Sequence, residues 1–270
     1  MKKAQQIILT LVAALLLTAC GASRTVPITG RKQHLLVSDE QVLSLSSQEY
    51  KKYMQTARRS TNKTNTAMVE RVGKRLAQAV TTYLTQNGMT DELSGYQWEF
   101  NLVQDKNINA FCMPGGKIVV YEGLLPVTKD EASLAIVLGH EIAHAVAKHS
   151  AERLSNAYKN QYGVQILSAV AQGAGVSQTT QQLGQLIIGY GGQFFTAGFS
   201  RKQESEADHM GLILAAMAGY DPQVAISFWQ RMSQSTGGGS SSLLSDHPSD
   251  AKRISQIQGW MPEALKYYKK

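Results

Sequence analysis

Ten residues near the middle of the chain decide how the rest is interpreted: Val137-Leu138-Gly139-His140-Glu141-Ile142-Ala143-His144-Ala145-Val146. They contain the pattern His-Glu-x-x-His. Residues four apart on an α-helix share a face, with Cβ atoms roughly 5–6 Å apart, so both imidazoles can reach one metal ion. Glu141 follows the first histidine and can accept a proton from a water molecule beside the metal. The stretch predicts a zinc helix with His140 and His144 as ligands and Glu141 as the catalytic base.

The residues around the motif favour a buried helix. Apolar side chains recur there at intervals of three and four residues, namely Leu134, Val137, Leu138, Ile142 and Val146. Upstream, Thr128-Lys129-Asp130-Glu131 has the form of a capping box and predicts the start of the helix. The plain alternative is a core helix with two hydrogen-bonded histidines. Burying two imidazoles and a carboxylate without a metal would be costly, which favours the zinc site.

Length and composition indicate one globular domain with short appendages. The chain has 270 residues, of which 43% are hydrophobic, and 27 basic against 20 acidic residues give a net charge of +7. Basic residues form no dense cluster with interleaved aromatic residues, so we expect no nucleic-acid partner. The net positive charge is instead consistent with a basic surface that faces anionic lipid. The two cysteines, Cys20 and Cys112, form neither a metal motif nor a disulfide framework.

The N-terminus has the features of an exported lipoprotein. A basic start and an apolar run that is too short to span a membrane predict a signal peptide over residues 1–19. Leu17-Thr18-Ala19-Cys20 resembles the bacterial lipobox, so Cys20 is the expected lipidation site; an ordinary signal peptide with an incidental cysteine is the alternative. We expect a lipidated tether over residues 20–33 and a single metallopeptidase domain over residues 34–270.

The pattern of the domain predicts an α+β fold that is predominantly helical. Two helices, expected from 38 to 59 and from 66 to 86, precede three short segments that alternate like strands. These are residues 97–103, 109–113 and 117–121. Three strands before a zinc helix predict a small sheet packed on that helix. Its edge at Asn109, Ala110 and Phe111 could hold a peptide substrate in an extended conformation.

The second half of the chain reads as helical, with two stretches of unusual composition. Residues 150–199 are rich in small residues, Gln and Gly, and predict either a mobile amphipathic cover over the cleft or a plain helical hairpin. A strong helix follows over residues 200–218. Residues 236–242 contain successive glycines and serines and predict a flexible loop, and a short C-terminal helix is expected from about Ser249.

A catalytic zinc normally has three protein ligands, so the chain must supply a third. The metzincin pattern is excluded because Ser150 stands where that pattern has a histidine. His149 would lie about 140° around the helix from His144, which predicts a surface histidine. Glu204 is the better candidate, because Asp208 shares its helical face and could accept a hydrogen bond from a zinc ligand, whereas Glu206 points elsewhere. From spacing alone, a solvated acidic face is at least as good an explanation.

Four signatures in order resemble a gluzincin family that includes the HtpX membrane protease, the CAAX prenyl endopeptidases and the periplasmic proteases LoiP and BepA. They are Asn109-Ala110-Phe111 with Pro114-Gly115-Gly116, His140-Glu141-x-x-His144, Ser200-Arg201 with Glu204 and Ala207-Asp208, and His247-Pro248 with Arg253. The resemblance covers roughly residues 25–260, and the soluble lipoprotein members such as LoiP are most similar in length and layout. It implies a zincin-like catalytic domain, one Zn²⁺ per chain, Glu204 as third ligand and Asp208 as its support.

The resemblance further implies a zinc endopeptidase that hydrolyses misfolded or unassembled proteins of the bacterial cell envelope. We expect polypeptide substrates, a membrane anchor through lipidated Cys20 at the outer membrane facing the periplasm, and possible contact with envelope assembly machinery. His247 follows the glycine-rich loop and falls where the family places a histidine near the metal. It could occupy the open coordination position at rest or donate a hydrogen bond to the oxyanion; a surface histidine before Pro248 is the plain alternative.

Two other functions remain open from the sequence. Peptide deformylases also use His-Glu-x-x-His, with an upstream cysteine as third ligand, and Cys112 could take that role. An exported protein would not meet nascent formylated chains, and this role would leave Glu204 unexplained. A zinc-stabilised lipoprotein that acts as a chaperone or assembly factor is the second alternative. The presence of Glu141 favours catalysis, because a purely structural zinc site needs no base.

Overall fold

The computed structural model describes residues 22–157, 159, 198–235 and 251–269. Helices alternate with two small groups of strands along these residues, and two short 3-10 turns, Thr90–Gly95 and Glu122–Leu124, connect them. The strands are β1 Ala22–Thr25, β2 Lys32–Leu35, β3 Glu99–Val103, β4 Ala110–Met113 and β5 Lys117–Tyr121. The helices are α1 Asp39–Thr56, α2 Lys63–Gln86, α3 Leu125–Thr128, α4 Glu131–Val146, α5 Arg201–Met217, α6 Val224–Ser235 and α7 Ala251–Tyr267, and residues 149–157 are also helical. The predicted helical α+β class is confirmed.

Helix α4 carries the His-Glu-x-x-His motif and lies in the centre of the core. Every residue from Ser133 to Val146 is buried, because neighbouring elements cover the helix on all sides. Its N-cap is Asp130, whose carboxylate accepts a hydrogen bond of 2.7 Å from the amide of Ser133. The predicted capping box at Thr128 is therefore wrong. Thr128 instead ends α3, where its hydroxyl donates to the carbonyl oxygen of Leu125.

A three-stranded sheet packs on this helix, as the sequence predicted. The strand order is β3-β5-β4, with β3 parallel and β4 antiparallel to β5. The β4–β5 turn contains Gly115 and Gly116, which have φ angles of 87° and 81° that favour glycine. Strand β4 contacts α4 and, among the described residues, forms one edge of the sheet. This edge contains Ala110 and Phe111, and Asn109 immediately precedes it.

Helix α5 crosses α4 at two glycines. A Cβ on Gly139 would lie 2.7 Å from the carbonyl oxygen of Gly211, and one on Gly211 would lie 2.6 Å from the amide nitrogen of His140. Because those atoms belong to the helix backbones, a side chain at either position would push the helices apart. The absence of both side chains brings the first half of α5 against the histidine-bearing face of α4.

The N-terminal segment is folded from residue 22 onward. Strands β1 and β2 form an antiparallel hairpin, and Val26 at the hairpin turn is fully buried in the main core. Residues 22–33, which the sequence predicts to be a tether, form most of this hairpin and pack on the core through Val26. Among the described residues, no helix is long and apolar enough to cross a membrane. Most of segment 150–199 and all of loop 236–242 lie outside the described residues.

Candidate metal centre

Three buried donor groups converge between α4 and α5. The Nε2 atoms of His140 and His144 are 3.0 Å apart, and each lies 3.4 Å from one carboxylate oxygen of Glu204. Four-coordinate zinc with bonds of roughly 2.0–2.1 Å holds its donor atoms about 3.3–3.4 Å apart. The two contacts with Glu204 match this separation, and the two Nε2 atoms are somewhat closer, at 3.0 Å. Two imidazoles and a carboxylate also form a donor set that zinc accepts at catalytic sites. These residues therefore fit a zinc ion, and they form the one such cluster found among the described residues.

Local sequence places each donor. The two histidines are four residues apart on α4 and so face the same side. Glu204 lies in the first turn of α5, which begins at Ser200 through a capping box: the Ser200 hydroxyl accepts from the amide of Gln203, and the Gln203 side chain accepts from the amide of Ser200. This cap fixes where α5 starts and hence where Glu204 lies. The prediction that Glu204 joins the two histidines agrees with this geometry.

Asp208 contacts the second nitrogen of His140. Its carboxylate lies 2.9 Å from Nδ1 of His140 and 2.6 Å from the guanidinium of Arg253, which itself stacks 3.5 Å above the ring of Trp229. Burial lowers the pKa of His140, but hydrogen bonds to Asp208 and Glu204 outweigh it and raise this pKa to about 9. Burial raises the pKa of Asp208, yet Arg253 and His140 hold it below its ordinary value. Asp208 thus orients His140 as a charged acceptor.

His149 and Glu206 lie on the other side of the cluster, which the sequence analysis missed. His149 is completely buried, and its Nδ1 lies 2.8 Å from Nδ1 of His144, while its Nε2 lies 3.0 Å from a Glu206 oxygen. Burial lowers the pKa of His144 far below its ordinary value and also lowers that of His149. The predictions of a surface His149 and of a Glu206 that points away are wrong.

The hairpin turn holds Glu206 in this position. Arg31 donates to both Glu206 oxygens at 3.0 and 2.8 Å, and the hydroxyl of Thr29 donates to one of them at 2.5 Å. The same guanidinium forms a two-pronged ion pair with Glu152 at 2.7 and 2.9 Å. Burial raises the pKa of Glu206, but the bonds from His149, Arg31 and Thr29 lower it to about 2. Glu206 is therefore ionised over the whole physiological range.

Glu141 is buried on the same helix as the two histidines, with 3% of its surface exposed. Burial of Cys112 on β4 raises the pKa of its thiol well above the ordinary value, and the nearby carboxylate of Glu141 raises it further. The thiol is not a member of the donor cluster. A deformylase-like ligand set is therefore not what this structure forms, because Glu204 occupies the third position.

A cavity of about 580 Å³ opens beside His144. Its walls are the first turns of α1, the 3-10 turn Thr90–Gly95, the β4–β5 turn and the end of α4. Lys148 lines it and forms ion pairs with Asp39 and with Glu92, the latter at 2.8 Å. The lining residues are Asp39, Glu40, Val42, Leu43, Ser44, Asp91, Glu92, Ser94, Gly95, Tyr96, Pro114, Gly115, His144, Ala145, Lys148, Ser150 and Ala151. The volume is within the range of ligand-binding clefts.

Comparison with known proteins agrees with this geometry. Residues 63–261 match the description Peptidase family M48, and this match spans α2 to α7 and includes all three donors. The chain belongs to peptidase family M48. Members of this metallopeptidase family require zinc, which is consistent with the donor set.

Within the M48 family, the chain is similar to mitochondrial metalloendopeptidases. It is 38% identical over 201 residues to the mitochondrial metalloendopeptidase OMA1 of Schizosaccharomyces pombe, which covers 74% of this chain and 54% of that protein. It is 33% identical over 250 residues to human OMA1, covering 89% of this chain and 46% of that protein. The chain thus spans about half the length of these relatives.

The expected special similarity to LoiP is not confirmed. Metalloprotease LoiP of Escherichia coli is 29% identical over 175 residues, which cover 65% of this chain and 67% of LoiP. This identity is lower than that to either OMA1 protein. Family membership is therefore established, whereas a place among the M48 lipoproteins is not.

Two predicted site residues, His247 and Cys20, lie outside the described residues. Arg253, which belongs to the same sequence signature as His247, is described and reaches Asp208 and Nδ1 of His140, the latter at 3.2 Å. Helix α4 ends at Val146, and Lys148 lies in the turn that follows it. Its φ angle of 53° turns the backbone, so the position of His149 does not follow from the α4 helical period.

Proposed function

We propose that this chain is a zinc-dependent endopeptidase that hydrolyses polypeptides at the His140–His144–Glu204 centre. One observation carries the proposal: two buried imidazoles and a carboxylate converge with their donor atoms 3.0–3.4 Å apart, and Glu141 lies on the same helix as the imidazoles. Membership of the M48 family supports the same activity. A structural zinc site normally has four protein ligands, whereas the donor cluster here has three. A structural site would also have no use for the buried carboxylate of Glu141 beside it.

The residues of the chain have separable roles in this reaction. Zinc, when bound, supplies Lewis-acid chemistry that polarises the substrate carbonyl and makes water easier to deprotonate. Glu141 accepts the proton of the attacking water and passes it to the leaving amine. Asp208 accepts a hydrogen bond from Nδ1 of His140 and so favours the tautomer that leaves Nε2 to bind the metal. Arg253 keeps Asp208 ionised and in place.

The surroundings of the centre suit an extended peptide. Strand β4 contacts α4 and leaves one edge without a partner strand among the described residues, so a substrate could pair there through its backbone. The cavity beside His144 has room for substrate side chains next to the cleaved bond. Its apolar walls include Val42, Leu43 and Tyr96, and we propose that it accepts apolar side chains.

We further propose that the mature protein is anchored in a bacterial envelope through a lipid on Cys20 and acts on misfolded or unassembled envelope proteins. The N-terminal sequence and its lipobox-like Leu17-Thr18-Ala19-Cys20 support this placement. Replacing Cys20 with serine should prevent lipidation and release the protein from membranes. A Cys20→Ser variant that is processed and fractionates like the parent would refute the anchor without affecting the proposed chemistry.

Cleavage of an unfolded polypeptide such as casein tests the proposed activity. The parent chain should cleave it, a chelator should stop cleavage, and stoichiometric zinc should restore it. Glu204→Ala should neither cleave nor be rescued by equimolar zinc, because it has lost a ligand. Cleavage that is insensitive to the chelator would overturn the proposal, and so would a zinc-loaded parent that cleaves no peptide bond.

A further inference from the structure

Helix α5 contributes three buried carboxylates in alternate positions, and each has a different partner. Glu204 joins the donor cluster, Asp208 contacts His140, and Glu206 contacts His149. The segment Glu204-Ser205-Glu206-Ala207-Asp208 therefore supplies a supporting carboxylate to each of the two histidines of the cluster. Asp208 contacts its histidine directly, whereas Glu206 reaches His144 only through His149.

The hydrogen-bond chain behind His144 has one consistent direction. Because Nε2 of His144 faces His140 and Glu204, the proton of a ligating His144 is on Nδ1, which lies 2.8 Å from Nδ1 of His149. Nδ1 of His149 then accepts this hydrogen bond, and its Nε2 carries a proton that it donates to Glu206 at 3.0 Å. With His144 bound to a metal through Nε2, every nitrogen in this hydrogen-bond chain has a defined role.

The N-terminal hairpin completes the hydrogen-bond chain behind His144. Arg31 and Thr29, both from the turn between β1 and β2, donate to Glu206, and Arg31 is held in turn by Glu152. His140 has the matching arrangement on its own side, since Asp208 accepts from it and from Arg253. Behind each histidine of the cluster thus lie one carboxylate and one arginine. The two arginines, Arg31 and Arg253, come from opposite ends of the sequence.

We propose that His149 and Glu206 are positioning residues for the zinc ligand His144, and that Arg31 of the N-terminal hairpin holds this pair, so that zinc affinity depends on the hairpin. The proposal rests on the metal site of the proposed function, but not on the reaction performed there. When the Nδ1 proton of His144 has a fixed acceptor, the ring loses less orientational freedom on binding zinc, and its Nε2 is a stronger metal ligand. Loss of an outer hydrogen-bond partner of a metal ligand typically costs 10–100-fold in metal affinity.

Zinc titration of the full chain against a chelator of known affinity tests the proposal. His149→Phe keeps the ring but removes both hydrogen bonds and should weaken zinc binding about 10–100-fold. His149→Asn should lose less, because its Oδ1 takes roughly the place of Nδ1 and can still accept from His144. Arg31→Met should also weaken zinc binding, although Arg31 reaches His144 only through Glu206 and His149.

Two control variants separate positioning from mere loss of stability. Glu263→Gln alters another histidine–carboxylate pair, the 2.7 Å contact between His209 on α5 and Glu263 on α7. This pair is not part of the hydrogen-bond chain behind His144, so the substitution should leave zinc affinity unchanged. Leu84→Ala opens a cavity in the core on α2 and should lower the stability of the metal-free protein. The visible spectrum of bound cobalt should change in His149→Phe and remain parental in Leu84→Ala.

Parental zinc affinity and an unchanged cobalt spectrum in His149→Phe would overturn the proposal. So would a loss of affinity that Leu84→Ala reproduces to the same extent, because the network would then act only through stability. A parent that binds zinc with this ranking of variants and yet cleaves no polypeptide would refute the proposed function and leave the positioning role intact.

Discussion

Gly211 lies directly against the backbone of His140, with only 2.6 Å between its hypothetical Cβ and the amide nitrogen of that residue. The metal centre needs donors from both α4 and α5, so the separation of these helices sets the distance from Glu204 to the two histidines. The glycine pair is therefore as much a part of the site as the ligands are.

Gly211→Ala should disrupt both the fold and the site. Alanine favours an isolated helix by about 1 kcal/mol, but here its methyl group would meet backbone atoms that cannot move aside. We expect a net loss of about 1–3 kcal/mol in the free energy of unfolding, together with weaker zinc binding. Denaturant unfolding of metal-free protein and a zinc titration measure the two effects.

Gly259→Ala provides the matched control. Gly259 is an exposed residue of α7, and a Cβ there would meet no atom within 4 Å. This substitution should leave zinc binding unchanged and raise stability by up to about 1 kcal/mol. If Gly211→Ala behaved in the same way as Gly259→Ala, the close crossing of α4 and α5 would not matter.

Metal content distinguishes Glu204 from Cys112 as the third ligand. Glu204→Ala removes a carboxylate that lies 3.4 Å from both Nε2 atoms, so purified protein should contain far less zinc. Cys112→Ala removes a buried thiol outside the cluster and should keep nearly full zinc content. The reverse ranking, measured by elemental analysis, would restore a deformylase-like ligand set.

Local patterns were sufficient to predict the central parts of the fold. The strands Ala110–Met113 and Lys117–Tyr121 form where the sequence predicts them, although they are buried on both faces rather than on alternate residues. The helical spacing of His140 and His144 places both on one face. Glu204 and Asp208 were ambiguous from spacing alone, since an exposed acidic helix face has the same pattern. The family resemblance resolved that ambiguity, and the burial of both carboxylates agrees with it.

Contacts between distant residues could not be predicted in the same way. The angular argument about His149 assumed a continuous helix, but Lys148 adopts a left-handed conformation and the chain turns before His149. The hairpin was missed because Arg31 contacts Glu152 and Glu206, which are 121 and 175 residues away in sequence. No local periodicity records a partner at such a distance.

Acid sensitivity tests the ion pair between Glu152 and Arg31. Burial raises the pKa of Glu152, but hydrogen bonds from Arg31, Gln33 and Gln203 lower it to below its ordinary value. The pair therefore contributes stability above the ordinary carboxyl pKa of about 4.3, and this contribution is lost as the pH falls through the lowered value. Glu152→Gln should destabilise the metal-free protein at pH 7 by about 1–3 kcal/mol.

The difference between parent and Glu152→Gln should shrink as the pH falls below about 4, because the parent then loses the same charge. Urea unfolding at pH 7 and at successively lower pH values measures it. A difference that stays constant or grows toward low pH would show that Glu152 does not stabilise the hairpin as an ionised group.

Glu141→Gln tests the central claim most directly, because it changes the base and leaves all three donors in place. Zinc content and the rate of casein cleavage should be measured on the same preparation. We predict zinc at the parental level and a cleavage rate lower by at least about 10²–10⁴-fold, the usual contribution of a general base. A zinc-loaded Glu141→Gln variant that cleaves casein at the parental rate would contradict the claim that this centre is a peptidase site with Glu141 as its base.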